Sequence, residues 1–344
     1  MTVSHRTPEN RKIITGQKIN FFFCCSAGKI SDTFSAKKMK ARSYKEDIYN
    51  HVYQRTINRF NIFYDLKDYL VYFTIFCIAA KRYGITVTEL CLMIDHIHML
   101  IKSSTKQSLS EFISFVTSVF VREYNSSIGR EGPLFESRFG SAPKLTKKKL
   151  MSAIIYIGNN PVERNICLNA EDYRWNFIAY INSDHPYSNE IVLKESSWNF
   201  KKSIREVNWH HKNGKFLNYR ILERLFDRLA PDEKMQLTDY IIYKYNVIDT
   251  NSLMSHFDTY QELLTSLHST TGSEYDIKEV ADSASDLIYR DMIKVTKRYC
   301  YGNIRQIITL SLEEKLRIAE VIRLHTSSQI WQIEKFLHMK IDKK

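Results

Sequence analysis

Between residues 49 and 158 the hydrophobic pattern switches repeatedly between period two and period 3.6, and the order of the switches leaves few folds open. Tyr49–Thr56 alternates as a strand. Leu66–Tyr83 carries apolar residues at helical spacing and stops at Gly84. Ile85–Met93 and Ile97–Ile101 read as strands, with Asp95 at the turn between them. Leu109–Tyr124 reads as a second amphipathic helix, introduced by a Ser108-x-x-Glu111 capping box and ended by Gly129 and Gly132. Pro133–Leu145 reads as loop plus strand. Lys147–Gly158 is the third helix, closed by Asn160-Pro161, because the residue before proline is biased out of the helical region. The order β-α-β-β-α-β-α predicts an α+β fold, a ferredoxin-like split βαβ with an antiparallel sheet and an appended helix.

The flanks differ in character. Residues 1–38 are polar and basic without sustained periodicity, and are expected to form a disordered leader before a folded domain at 39–182. Met39 opens a second basic run and is an alternative start. Residues 183–344 are expected to be mainly helical, with helices within 218–246 and 276–337. Ser311-x-x-Glu314 is a further capping box. Glu313–Leu324 followed by Ser327–Leu337 has the layout of a candidate helix-turn-helix at 311–338, with Ser327–Lys335 in the place of the recognition helix.

Charge and cysteine usage narrow the partners. Fifty Lys and Arg stand against 38 Asp and Glu, a net charge of +12, which suggests a polyanionic partner. The six cysteines form no C-x-x-C pair, which argues against a zinc ribbon and a disulfide framework and for a reducing, cytoplasmic setting. The longest apolar stretch, Tyr69 to Ala80, is too short to cross a bilayer.

Two segments carry chemistry. In a strand, alternate side chains share a face, so His96 and His98 point the same way while Ile97, Met99 and Ile101 point to the other. Two imidazoles side by side make half of a divalent-metal site. On the third helix Leu150, Ile154 and Ile157 form an apolar stripe. Lys149, Ser152, Ala153, Tyr156 and Asn160 lie on the opposite side, where Tyr156 and Asn160, four apart, are neighbours. A phenol can attack a phosphodiester and a metal can polarise the scissile phosphate, with the Asn160 carbonyl oxygen as a further ligand.

Taken together these segments resemble the single-tyrosine HUH transposases, the insertion-sequence-200-like superfamily, and within it the REP-associated tyrosine transposases. The resemblance runs in order over 49–181: His51-Val52-Tyr53-Gln54-Arg55, Asp95-His96-Ile97-His98-Met99-Leu100-Ile101, Gly132-Pro133-Leu134-Phe135-Glu136-Ser137-Arg138-Phe139, Tyr156-Ile157-Gly158-Asn159-Asn160-Pro161-Val162 and Asp172-Tyr173-Arg174-Trp175-Asn176-Phe177. It implies a Mg²⁺ or Mn²⁺ ion held by His96, His98 and Asn160, and Tyr156 as nucleophile. It also implies cleavage of single-stranded DNA near a hairpin, giving a 5′-phosphotyrosine and a free 3′-OH. The family's Pro-Asn before the first His is replaced by Ile94-Asp95, a carboxylate that either tightens cation binding or makes the turn.

Seven basic side chains stand against three acidic ones over residues 122–149. Arg55, Arg130, Arg138, Lys147, Lys148 and Lys149 are the candidates for holding DNA phosphates, and Phe135, Phe139 and Trp175 for stacking on bases. The resemblance suits a cytoplasmic, nucleoid-associated enzyme acting as a monomer or a homodimer. The second reading is a catalytically inactive, domesticated protein that only grips DNA hairpins.

Overall fold

In a computed structural model of the chain, residues 43–269, 285–299 and 303–341 are described; the expected leader at 1–38, and 276–284 and 300–302 of the expected C-terminal helices, lie outside them. Strand β1 (Asn50–Arg55) lies between β3 (His96–Lys102) and β4 (Gly140–Pro143), and β3 pairs on its far side with β2 (Thr86–Leu92). Every pairing is antiparallel, in the order β2-β3-β1-β4. This is the split βαβ sheet predicted from the periodicity.

The register decides what the sheet faces carry. Tyr53 lies opposite His98, Arg55 opposite His96, and Cys91 opposite His98. His51, Tyr53, Arg55, Cys91, His96 and His98 therefore share one face, and Val52, Gln54, Leu90, Ile97, Met99 and Ile101 share the other. The second face is covered by α1 (Leu66–Tyr83) and α2 (Lys106–Ile128), where the Gln54 amide donates to Thr117 Oγ1 at 2.9 Å. The first face is covered by α3 (Lys147–Glu163).

Helix α1 keeps its predicted limits: Asp65 and Asp68 form a capping box at its start, and Gly84 ends it at φ +63°, a left-handed conformation glycine adopts at little cost. Helix α2 begins earlier than its sequence signal. Its cap is Thr105, whose hydroxyl accepts from the Ser108 N–H, while Ser108 sits in the first turn and donates to the Tyr83 carbonyl. Helix α3 does not stop at Gly158 but runs through Pro161 to Glu163. Proline removes one donor from the helix ladder, and with the helix ending two residues later that loss is tolerated. Gly158 has a different role from a stop signal. A Cβ there would lie 2.8 Å from Leu267 Cδ2 and 3.3 Å from Glu89 Oε1, so its bare backbone lets α3 close on β2.

The C-terminal region is helical: α4 (Trp198–Lys212), α5 (Tyr219–Phe226), α6 (Pro231–Tyr245), α7 (Thr250–Met254), α8 (Tyr260–Ser269), α9 (Ile288–Tyr299), α10 (Leu312–His325) and α11 (Ile330–Leu337). It packs onto the sheet and its helices. Asp249 N–H donates to the Val87 carbonyl at 2.7 Å, next to a bridge between Val87 and Ile248. Arg305, fully buried, lies 3.0 Å from Asp68 Oδ1 at the start of α1 and 3.7 Å above the Tyr219 ring of α5, and donates to Ser127 Oγ of α2. A buried guanidinium with these partners recovers its desolvation cost only in this geometry, so it fixes the 304–309 turn to three helices at once.

The helix pair of the candidate helix-turn-helix exists, but its second member starts at Ile330, later than Ser327, and turns inward. Gln332, Ile333, Phe336 and Leu337 are buried, the Tyr64 hydroxyl donates to the Phe336 carbonyl, and His338 Nε2 donates to the Asn61 carbonyl at 2.6 Å. Ser327 and Gln329 at its start remain exposed. Among the described residues no helix is long and apolar enough to cross a membrane.

Candidate active site

Strand alternation on β3 presents His96 and His98 on the α3 side of the sheet, their ring centroids 4.9 Å apart and both side chains fully buried. Helix α3 supplies the other half. Asn160 Oδ1 lies 3.1 Å from His96 Nε2, and Asn160 Nδ2 lies 3.4 Å from His98 Nε2. Tyr156 sits one turn earlier, its ring 5.6 Å from that of His98 and 5.8 Å from that of His51. The four residues singled out in the sequence are thus brought into one cluster, joined by His51 of β1. The Tyr156–Asn160 end of the polar stripe of α3 faces the sheet and not solvent: Tyr156 is 4 % exposed and Asn160 2 %. Extending the helix through Pro161 is what keeps Asn160 on the Tyr156 face, four residues on.

His96 has a carboxylate behind it. Its Nδ1 lies 2.5 Å from Asp95 Oδ1. Burial alone would push the Asp95 carboxyl up, but the adjacent His96 ring and the Arg59 and Lys335 cations hold it well below the usual carboxylate range. Oδ1 accepts from Nδ1–H, which turns Nε2 toward Asn160 Oδ1, 3.1 Å away. With the Asn160 amide turned over, the same oxygen would face His98 Nε2. Two imidazole nitrogens and an amide oxygen converging in this way fit a small divalent cation. Among the described residues no three His, Cys, Asp or Glu side chains cluster as a metal cage; the donor set here has two imidazoles and completes itself with an amide.

Residues 44–160 match the model of the IS200-like transposase family, from the segment leading into β1 to Asn160 itself. The similarity covers about a third of the chain. Among solved structures the chain is similar to a REP-associated tyrosine transposase bound to a REP hairpin, at 14% identity, 40% of this chain, 81% of that one and a TM-score of 0.36. It is also similar to a candidate transposase from Deinococcus radiodurans R1, at 20% identity, 35% of this chain, 96% of that one and a TM-score of 0.24. No curated protein matches the chain.

Around the His96–His98–Asn160 centre, the predicted DNA-holding residues separate into groups. Lys147 and Lys148 are exposed and Lys149 half-buried, in the first turn of α3, whose cap is Thr146. That turn holds no acidic residue, although a helix N-terminus favours negative charge, so the lysines there suit an anion. Arg138 is exposed. Arg55 is half-buried on the His face, its guanidinium 5.1 Å from the Tyr53 ring centroid. Arg130 is committed elsewhere: it donates to Asn125 Oδ1 and to the Gly132 and Pro133 carbonyls, pinning the loop after α2. Phe135, Phe139 and Trp175 are buried, and Trp175 stacks on Tyr69 at 4.4 Å, so they are core residues and not stacking platforms for bases. The Asp172–Phe177 run is a strut: the Tyr173 hydroxyl donates to the Leu92 carbonyl, and the Asn176 amide to the carbonyls of Gly158 and Ala170.

Three roles were not legible in the sequence. His51 was visible only as part of a motif, because its link to His98, Nε2 to Nδ1 at 2.9 Å, is a diagonal cross-strand contact that depends on register. Gly140 lies opposite Tyr53 in β4, and any Cβ there would fall within 2.4 Å of three Tyr53 ring and hydroxyl atoms. Asp95 makes the turn and meets His96 on its Nδ1 side, away from the Nε2 that faces Asn160.

Proposed function

We propose that the chain is a metal-dependent single-stranded DNA endonuclease and strand transferase acting at hairpin-flanked sites, with Tyr156 as nucleophile. The observation that carries this reading is the buried convergence of His96 Nε2, His98 Nε2 and the Asn160 amide beside the Tyr156 ring. His96, His98 and Asn160 would hold Mg²⁺ or Mn²⁺, which supplies charge to offset that developing on the scissile phosphate. The Tyr156 oxygen forms a bond to phosphorus and loses its proton to a neighbouring base. The bond from phosphorus to the 3′ oxygen breaks, and that oxygen leaves as a protonated 3′-OH. The phosphotyrosine linkage conserves the bond energy, so the 3′-OH can reverse the step without ATP. The lysines at the start of α3 lie on the helix that carries Tyr156, about 10–14 Å along it, and suit phosphates flanking the cut.

The burial of Tyr156 favours the second reading, a protein that grips hairpins without cutting, unless DNA opens the wall between α3 and the sheet. One experiment separates them. The full chain is incubated with labelled single-stranded hairpin DNA from its genomic flanks and Mn²⁺, and an SDS-resistant protein–DNA adduct is sought. Adduct formation that is lost in Tyr156→Phe supports the nuclease. Hairpin binding without any adduct, or an adduct that survives Tyr156→Phe, overturns it.

A further inference from the structure

The first metal ligand proposed above is held from behind by a chain of charges that reaches into the last helix. Asp95 is the last residue of the turn between β2 and β3, where Met93 N–H donates to the His96 carbonyl at 2.9 Å. Its own carbonyl accepts from both the Thr56 N–H (3.0 Å) and the Thr56 hydroxyl (2.9 Å), which fixes the turn to the end of β1. Its side chain has two faces. Oδ1 meets His96 Nδ1 at 2.5 Å, and Oδ2 lies 3.8 Å from Arg59 Nη1 and 3.9 Å from Lys335 Nζ of α11. Helix α11 is fixed in register with this turn: Asn61 N–H donates to the Lys335 carbonyl at 3.2 Å, and Ile62 N–H to the Ile94 carbonyl at 3.0 Å.

We propose that Asp95 is the positioning residue of the metal centre, orienting His96 through Nδ1, and that Arg59 and Lys335 hold its carboxylate in place, which makes the C-terminal helix part of that centre. A carboxylate on the far nitrogen of a metal-binding imidazole fixes the ring's tautomer and rotation and raises the basicity of the ligating nitrogen. A histidine on a bare strand would have two ring orientations and two tautomers to lose on binding a cation. Here the choice is made before the cation arrives, because Oδ1 accepts only from Nδ1–H and Thr56 locks the backbone that carries it. The two cations act on Oδ2 at a distance, so they stabilise the carboxylate without competing for Oδ1.

The inference rests on the metal-centre reading, and its test keeps the two apart. Mn²⁺ binding to the full chain is titrated with MnCl₂ by electron paramagnetic resonance, for the wild type and for His96→Ala, Asp95→Ala, Asp95→Asn and Lys335→Met. Affinity for a fluorescent hairpin oligonucleotide is measured in EDTA alongside. His96→Ala is expected to abolish Mn²⁺ binding. Asp95→Ala is expected to weaken it about 10- to 100-fold, the usual effect of removing such a partner. Asp95→Asn, which keeps an acceptor for Nδ1–H, should fall between Asp95→Ala and the wild type, and Lys335→Met should give a smaller loss of the same sign. Metal-free hairpin binding should be unchanged in all four. If the wild type binds no Mn²⁺, or His96→Ala binds it normally, the metal-centre reading fails and takes this inference with it. If His96→Ala loses Mn²⁺ while Asp95→Ala and Asp95→Asn bind it like the wild type, the metal centre stands and the positioning role is overturned. A parallel loss of metal-free hairpin binding in the Asp95 variants would mark a merely structural role and would also overturn it.

Discussion

His51 Nε2 lies 2.9 Å from His98 Nδ1 across the β1–β3 ladder, and the two rings flank Tyr156. His51 thus stands to His98 as Asp95 stands to His96: each addresses the Nδ1 of an imidazole whose Nε2 faces Asn160. His51→Gln is expected to lower the rate of adduct formation about 10- to 100-fold, since the outer partner of a metal-binding histidine carries an effect of that size. Single-turnover cleavage measures it. Full activity in a His51→Gln protein would show that His98 needs no partner.

The lysines of the first α3 turn separate stability from DNA affinity. Lys147 and Lys148 are exposed at a helix N-terminus, where positive charge is unfavourable. Lys147→Gln/Lys148→Gln is expected to bind single-stranded hairpin DNA more weakly while the melting temperature holds or rises. The plot of log K against log salt should flatten by about 0.7 for each phosphate that these lysines neutralise in the wild type. An unchanged slope would remove them from the DNA-holding surface.

Gly140 makes a steric prediction. Its absent side chain is the space in which the Tyr53 ring lies, on the same face as His51 and His98. Gly140→Ala must displace β4 or Tyr53 and is expected to destabilise the fold by about 1–3 kcal/mol. Tyr53→Leu in the same chain should recover part of that loss, because the two positions touch and their effects do not add. Denaturant melts of the single and double variants form the cycle; strict additivity would contradict the geometry.

Stability below neutral pH should depend on His338. Burial holds its imidazole neutral, its pKa lowered to about 3, while Nε2–H donates to the Asn61 carbonyl. The unfolded ring takes up a proton near pH 6.5 and the folded ring does not, so this contribution is complete above 6.5 and is lost as pH falls toward 3. At pH 5.5 the loss is about 1.4 kcal/mol. His338→Asn, suited to the left-handed backbone there (φ 51°), should flatten the pH dependence of the unfolding midpoint between pH 7 and 5. An identical profile in both proteins would mean that the ring is protonated in the folded state.

Much of the domain was readable because its signals are local. Alternation put His96 and His98 on one face, and helical spacing put Tyr156 and Asn160 on one side of α3. The limits of α1 followed from the helical spacing of Leu66–Tyr83 and the stop at Gly84, signals that act within a few residues. Errors arose where a local signal competed with packing. Pro161 looked like a terminator, yet the helix passes through it because one missing donor is a small loss. Trp175 and Phe135 looked like base platforms, yet an aromatic ring gains more from burial in a core than a short motif can reveal.

The sequence by itself determined the order of elements, the antiparallel α+β fold and the four residues from which a site could be built, since periodicity and caps depend only on neighbours in the chain. Only the tertiary structure decided that the Tyr156–Asn160 end of the polar stripe of α3 is buried against the histidines, and that His51 and Asp95 back them from behind. It also decided that Lys335, from the far end of the chain, stands beside Asp95. Those contacts are set by strand register and by where α11 docks, and both follow from the packing of surfaces brought together only by folding.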